Sequence, residues 1–211
     1  MVWITTLTAS RYCNRTLNME NPYHLLASHH ICESGVFRIR EDVVEGPNQK
    51  RFTFSVAEVK PGSSILPITE EGDVFLIREY KYAIGRTSTE VASGGMEEGE
   101  SPLDAAQREL REELGFTARE WVEFGSIDPF TTQLVSPNYQ FLALGLARVC
   151  QEPDEAEVLE RVKLNLDDAV QMVMRGEITH GPSCTLVLKA HLWMQNRLKN
   201  HEQQAKNVNL D

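Results

Sequence analysis

The pattern of apolar and polar positions divides the chain into short extended pieces before position 100 and a mixture of helices and strands after it. Val36-Phe37-Arg38-Ile39-Arg40 and Phe52-Thr53-Phe54-Ser55-Val56 are rich in β-branched and aromatic residues, and Gly46-Pro47-Asn48 between them reads as a hairpin turn. Segments 64–68 and 74–78 flank a Glu71-Gly72-Asp73 turn and predict a second hairpin with an apolar return strand. Residues 90–92 predict a short strand running into Gly94, Gly95 and Gly99, and further strands are expected at 122–127, 139–147 and 160–164. Helical spacing marks 102–114, 166–175 and about 183–199. Strands with three interspersed helices predict an α+β chain in the form of an α/β/α sandwich. The expected organisation is a weakly structured N-terminus (1–20), a β-rich arm (21–62), the main domain (63–199) and a polar tail (200–211).

Composition narrows the class. Of 211 residues, 41% are hydrophobic and 25% charged, which suits a packed soluble core. The net charge of -10 disfavours a surface for long nucleic acids, because it repels their phosphates. It leaves room for a small anionic substrate, since a bound divalent cation inverts the local field. Cys13, Cys32, Cys150 and Cys184 are scattered, with no C-x-x-C pair, so reduced thiols and a cytoplasmic location are expected. No apolar run approaches the roughly 18 residues of a membrane helix, and no membrane partner is expected.

One helix carries candidate chemistry. Ser101 is a good cap, Pro102 suits the first helical position, Asp104 completes a capping pattern and Gly115 is a good stop. Leu103, Ala106, Leu110 and Leu114 form an apolar stripe, while Arg108, Glu109, Glu112 and Glu113 lie on the other side. Like charges at i,i+3 and i,i+4 destabilise a helix by roughly 0.2–0.5 kcal/mol per pair. A generic charged helix face is one explanation for such a run; a hard cation among the carboxylates is the other.

The flanking residues decide between these. Gly94, five residues, Glu100, seven residues, and then Arg108-Glu109-Leu110-Arg111-Glu112-Glu113-Leu114-Gly115-Phe116 resemble the signature of the Nudix hydrolase superfamily at all nine specified positions. The resemblance implies an α/β/α sandwich and attack of water on a phosphorus of a substituted nucleoside diphosphate. It makes Glu109 and Glu113 the principal metal ligands, with Glu112 a ligand or water-mediated partner, and adds the backbone carbonyl of Ser93. Arg108 would orient the carboxylates, Glu100 would brace the loop, and Gly94 and Gly95 would let the backbone approach metal and substrate. The cofactor implied is Mg²⁺, with Mn²⁺ as the alternative, neutralising the diphosphate and helping to generate the attacking hydroxide.

Across 64–193 the chain resembles the ADP-ribose pyrophosphatase branch, through Val74-Phe75-Leu76-Ile77-Arg78-Glu79-Tyr80-Lys81, Glu90-Val91-Ala92-Ser93-Gly94 and Gln140-Phe141-Leu142-Ala143-Leu144-Gly145-Leu146. That branch places a general base and a further metal ligand on an acidic loop after the box, which makes Glu155 and Glu157 the candidates. A carboxylate beside activated water suits proton abstraction, and a merely solvated acidic loop is the plain alternative. Arg78 and Lys81 become candidate phosphate contacts and Glu90 a nucleotide contact. Two departures bear on the substrate. Ala92-Ser93 replaces the branch's Pro-Ala, and Thr132 stands near the place of a proline typical of ADP-ribose enzymes. The expected activity is therefore hydrolysis of ADP-ribose or another nucleoside diphosphate sugar to a nucleoside monophosphate and a sugar phosphate. The alternatives are a non-catalytic nucleotide sensor and a house-cleaning hydrolase of nucleoside triphosphates or dinucleoside polyphosphates. By the same resemblance the arm would form a homodimer. His29, His30 and Cys32 lack a second ligand pair for zinc, and His180, Cys184 and His191 read as packing and surface residues.

Overall fold

The computed structural model describes residues 3–4, 20–149 and 159–208. Its central sheet consists of β1 (Trp3–Ile4), β9 (Phe116–Ile127), β11 (Asn138–Arg148), β5 (Gly62–Pro67) and β8 (Ala92–Gly95), in that order. A second sheet joins β6 (Asp73–Lys81) to β12 (Glu160–Asn165) on one side and β7 (Arg86–Glu90) on the other. The arm is a third sheet in the order β10 (Leu134–Val135), β4 (Arg51–Val59), β3 (Phe37–Glu45) and β2 (His24–Ser34). Among the described residues three α-helices complete the fold: α1 (Pro102–Glu109), α2 (Leu166–Met174) and α3 (Gly181–Val208).

Strand alternation sorts the central sheet into two faces. Ile65, Trp121, Phe141 and Ala143 join Ala106, Leu110 and Leu114 in one core. Their neighbours Leu66, Val122 and Leu142 join Leu186, Val187 and Ala190 in the other. The sheet is thus buried between α1 and α3, giving the α/β/α sandwich that the pattern predicts.

The expected hairpin of 64–68 with 74–78 is not formed. β5 instead pairs in parallel with β11 and antiparallel with β8, β6 pairs with β7 and β12, and a single Ile68–Val74 bridge joins the two segments. Ile65 and Leu66, on opposite faces of β5, are both fully buried, so the strand needs a central place with a helix over each face. The first hairpin does form, as β3 and β4 around Pro47–Gln49. β2 escapes the apolar pattern because its residues, apart from the half-buried Ala27, are exposed. α3 continues past Lys199 to Val208. No described helix is long and apolar enough to cross a membrane.

Candidate active site

The site is assembled where α1 lies against β8. Ser101 caps α1, its Oγ accepting from Asp104 N–H at 3.2 Å, with Pro102 following at the first helical position. Ser63 Oγ donates to the Pro102 carbonyl at 2.7 Å and fastens the helix to β5. Ala106, Leu110 and Leu114 are buried against the sheet, which turns the Arg108 side of the helix toward β8. The last turn, Leu110–Leu114, is π-helical and ends at Gly115, whose φ of 68° suits glycine. Such a turn widens the helix where Glu109, Glu112 and Glu113 crowd, and π-turns recur at functional sites.

Arg108 is the hub. Its Nε donates to Glu100 Oε1 at 3.0 Å and its Nη1 to Glu109 Oε1 at 2.6 Å and Glu112 Oε2 at 3.0 Å. Nη2 donates to Glu100 Oε2 at 3.1 Å and to the Gly95 carbonyl at 2.9 Å. The hydrogen bond to Glu100, followed by those to Glu109 and Glu112, pushes the Arg108 pKa up against the opposing cost of burial. In return Arg108 holds the Glu100 carboxyl below its ordinary value. Glu100 Oε2 also accepts from Glu97 N–H at 2.9 Å, which ties the loop before α1 to the same cluster.

Glu109 and Glu113 are both buried and both reach β8. Ser93 N–H donates to Glu113 Oε2 at 2.9 Å. A Cβ on Gly94 would overlap the Glu109 carboxylate, so only glycine admits that group so close to the strand. Arg161 Nε donates to the Glu113 carbonyl at 3.1 Å, bracing the π-turn from β12. The result is a set of hard oxygen donors converging on one short backbone segment, which fits a divalent cation of the Mg²⁺ type. Among the described residues no three carboxylate, imidazole or thiol groups already close into a metal-sized cage. An ion that keeps several waters and binds substrate phosphate does not need one.

The remaining candidates are spread around this centre. Lys81 pairs with Glu79 and lies 4.0 Å from Glu90. Burial opposes its charge, but Glu79, Glu90 and Glu113 outweigh that and raise its pKa, so Lys81 is a cation turned toward the box. Arg78 lies on β6 and pairs with Glu160, at the start of β12, at 3.1 Å. Glu90 is buried at the end of β7. Glu155 and Glu157 lie outside the described residues.

A cavity of about 460 Å³ opens beside Ser93, Gly94 and Gly95. It is also lined by His180, Gly181 and Pro182 at the start of α3 and by Asn138, Val59 and Lys60. Sequence reasoning placed His180 with packing residues; its position directly before the long helix was the available clue. Gln140 fixes the start of α3. Fully buried on β11, it donates from Nε2 to the Pro182 carbonyl at 2.9 Å and to Thr185 Oγ1 at 2.7 Å, and it accepts from Lys189 Nζ at 2.8 Å.

Residues 59–181 match the family described as NUDIX domain. An ADP-ribose pyrophosphatase of Bacillus subtilis (strain 168) is 29% identical over 158 residues, covering 72% of this chain and 84% of the relative. An ADP-ribose pyrophosphatase of Mycobacterium tuberculosis (strain ATCC 25618 / H37Rv) is 27% identical over 178 residues, covering 82% and 84%. A crystal structure of an ADP compounds hydrolase superposes with a TM-score of 0.74 at 20% identity, covering 84% of this chain and 96% of the other, a likeness of fold.

Proposed function

The chain belongs to the NUDIX domain family and is a Nudix pyrophosphohydrolase, and from that premise we propose that it hydrolyses the diphosphate bond of ADP-ribose or a related nucleoside diphosphate sugar, giving a nucleoside monophosphate and a sugar phosphate. The observation that carries this reading is the convergence of Glu109 and Glu113 on β8 at the edge of a cavity, with Arg108 gripping Glu100, Glu109 and Glu112. The two ADP-ribose pyrophosphatase relatives support the substrate class.

Mg²⁺, or Mn²⁺ in its place, would be held by Glu109, Glu113 and the Ser93 carbonyl, with Glu112 directly or through water. Bound there, it supplies charge neutralisation of the diphosphate and activation of water. The chain's own groups do the rest. Arg108 fixes the carboxylates in one geometry, which lowers the reorganisation needed when substrate arrives. Gly94 and Gly95 leave the strand bare of side chains, so a phosphate can lie against it. Lys81 adds a fixed positive charge on the same side, as a point charge rather than a fork. Arg78 is a second candidate for phosphate and Glu90 for the nucleotide. Glu155 or Glu157 would take the proton from the attacking water.

The test is turnover of ADP-ribose, other nucleoside diphosphate sugars, nucleoside triphosphates and dinucleoside polyphosphates with Mg²⁺, products being identified by chromatography. Nucleoside monophosphate plus sugar phosphate is expected, and Glu113→Gln should lower the rate by about 10²-fold or more. Turnover confined to triphosphates or dinucleoside polyphosphates would move the assignment to a house-cleaning hydrolase. Binding of ADP-ribose without any turnover would make the protein a sensor.

A further inference from the structure

His180 has a feature that packing alone does not require. Its Nδ1 is turned into the protein, 2.8 Å from Ser183 Oγ and 3.4 Å from Glu90 Oε2. Ser183 is fully buried, and its Oγ already accepts the Val91 N–H at 3.0 Å. Ser183 and Glu90 together hold the ring from its Nδ1 side. With Nδ1 engaged by Ser183 and Glu90, Nε2 is the ring nitrogen available to a ligand in the cavity that His180 lines, and the side chain keeps 31% of its surface exposed. Burial favours the uncharged imidazole, with Glu90 pulling the other way and Lys81 adding to the effect of burial.

The cavity wall around His180 differs in character from the box. The box concentrates charge at Arg108, Glu109, Glu112 and Glu113, whereas the cavity offers the Gly181–Pro182 backbone, Asn138, Ser136, one cation at Lys60 and the apolar Val59 and Pro129. A largely apolar lining with a few polar groups suits an uncharged, hydroxyl-bearing group better than a second phosphate. We propose that His180 is a specificity residue whose Nε2 hydrogen-bonds a hydroxyl of the sugar attached to the diphosphate, with Ser183 and Glu90 holding the ring from Nδ1. The inference rests on the hydrolase reading above for the position of the diphosphate, at Ser93 and Gly94.

The experiment compares wild type, His180→Ala and His180→Gln on two substrates in Mg²⁺: ADP-ribose, and an ADP ester carrying a simple alkyl group in place of the sugar. Wild type is expected to prefer ADP-ribose. His180→Ala should raise KM for ADP-ribose about tenfold, the equivalent of one hydrogen bond of roughly 1.4 kcal/mol, and leave kcat within about threefold. The alkyl ester should be unaffected, so the preference is erased. Gln, whose Nε2 reaches similarly, should restore part of it, and it serves if the alanine variant does not fold. Equal losses on both substrates, or an unchanged preference in both variants, would overturn the proposal. If wild type hydrolyses neither compound, the hydrolase reading has failed instead. Calorimetry of ADP-ribose against the alkyl ester, on wild type and both variants, then decides the role of His180 by the same difference in affinity.

Discussion

At the scale of single residues, the site depends on close approach and on one multivalent cation. Gly94 is the sharper case. The Glu109 carboxylate occupies the space that any side chain at 94 would need, and Arg108 and the buried helix face keep it from moving away. Gly94→Ala should therefore displace Glu109, lower turnover by about 10²-fold, and cost stability by about 1–3 kcal/mol, as overpacking does. Steady-state kinetics and urea unfolding check the two parts separately. A fully active variant would show that Glu109 does not need its position against β8. Arg108→Lys should also fail, because one ammonium cannot serve Glu100, Glu109, Glu112 and the Gly95 carbonyl at once.

At the scale of elements, the loop before α1 is tied down by an ion pair whose pH dependence has a definite sign. Arg108 holds the Glu100 carboxyl below its ordinary value. A carboxylate depressed in the folded state contributes stability above its unfolded pKa, about 4.3 for glutamate, and loses it as pH falls through the lowered folded value. Metal-free Glu100→Gln should therefore melt below wild type at pH 7, and the gap should narrow as pH drops under about 4. A constant gap in Tm would mean that the charge of Glu100 contributes nothing. This loop and helix were also the most legible part of the chain. The cap at Ser101, the stripe of Ala106, Leu110 and Leu114, and the stop at Gly115 are all local features, set within a few residues of sequence, and all are found. The π-turn was not legible, because helical periodicity does not distinguish it from a continued α-helix. The pairing of β5 with β11 was also missed. It is a contact across more than 70 positions, and a turn at Glu71-Gly72-Asp73 suggests the nearer partner. The placing of His180 at the cavity was not legible for the same reason: it depends on Ser183 and Glu90, which meet the ring in space.

At the scale of the whole molecule, the arm presents a surface that its own sheet leaves uncovered. β2 is the outer strand of that sheet, and Leu25, Leu26 and Ile31 on it are 62%, 48% and 59% exposed. Phe37, Phe52 and Phe54 on the neighbouring strands are also exposed. An open strand edge carrying apolar side chains promotes pairing with another chain, and exposed apolar patches mark association surfaces. The arm also borders the cavity through Val36, Val59 and Lys60, so anything that fixes the arm also fixes one wall of the candidate site. A homodimer joined through β2, as the family resemblance implies, would account for both features. Sedimentation equilibrium should give about twice the chain mass of 23.9 kDa. The double variant Leu25→Lys, Ile31→Lys should sediment as a monomer and lose substrate affinity several-fold, while the box residues stay in place. A wild-type monomer at micromolar concentration would show that the arm shapes the cavity from within a single chain. A monomeric variant with unchanged KM would show that the dimer is not what holds the arm against the site.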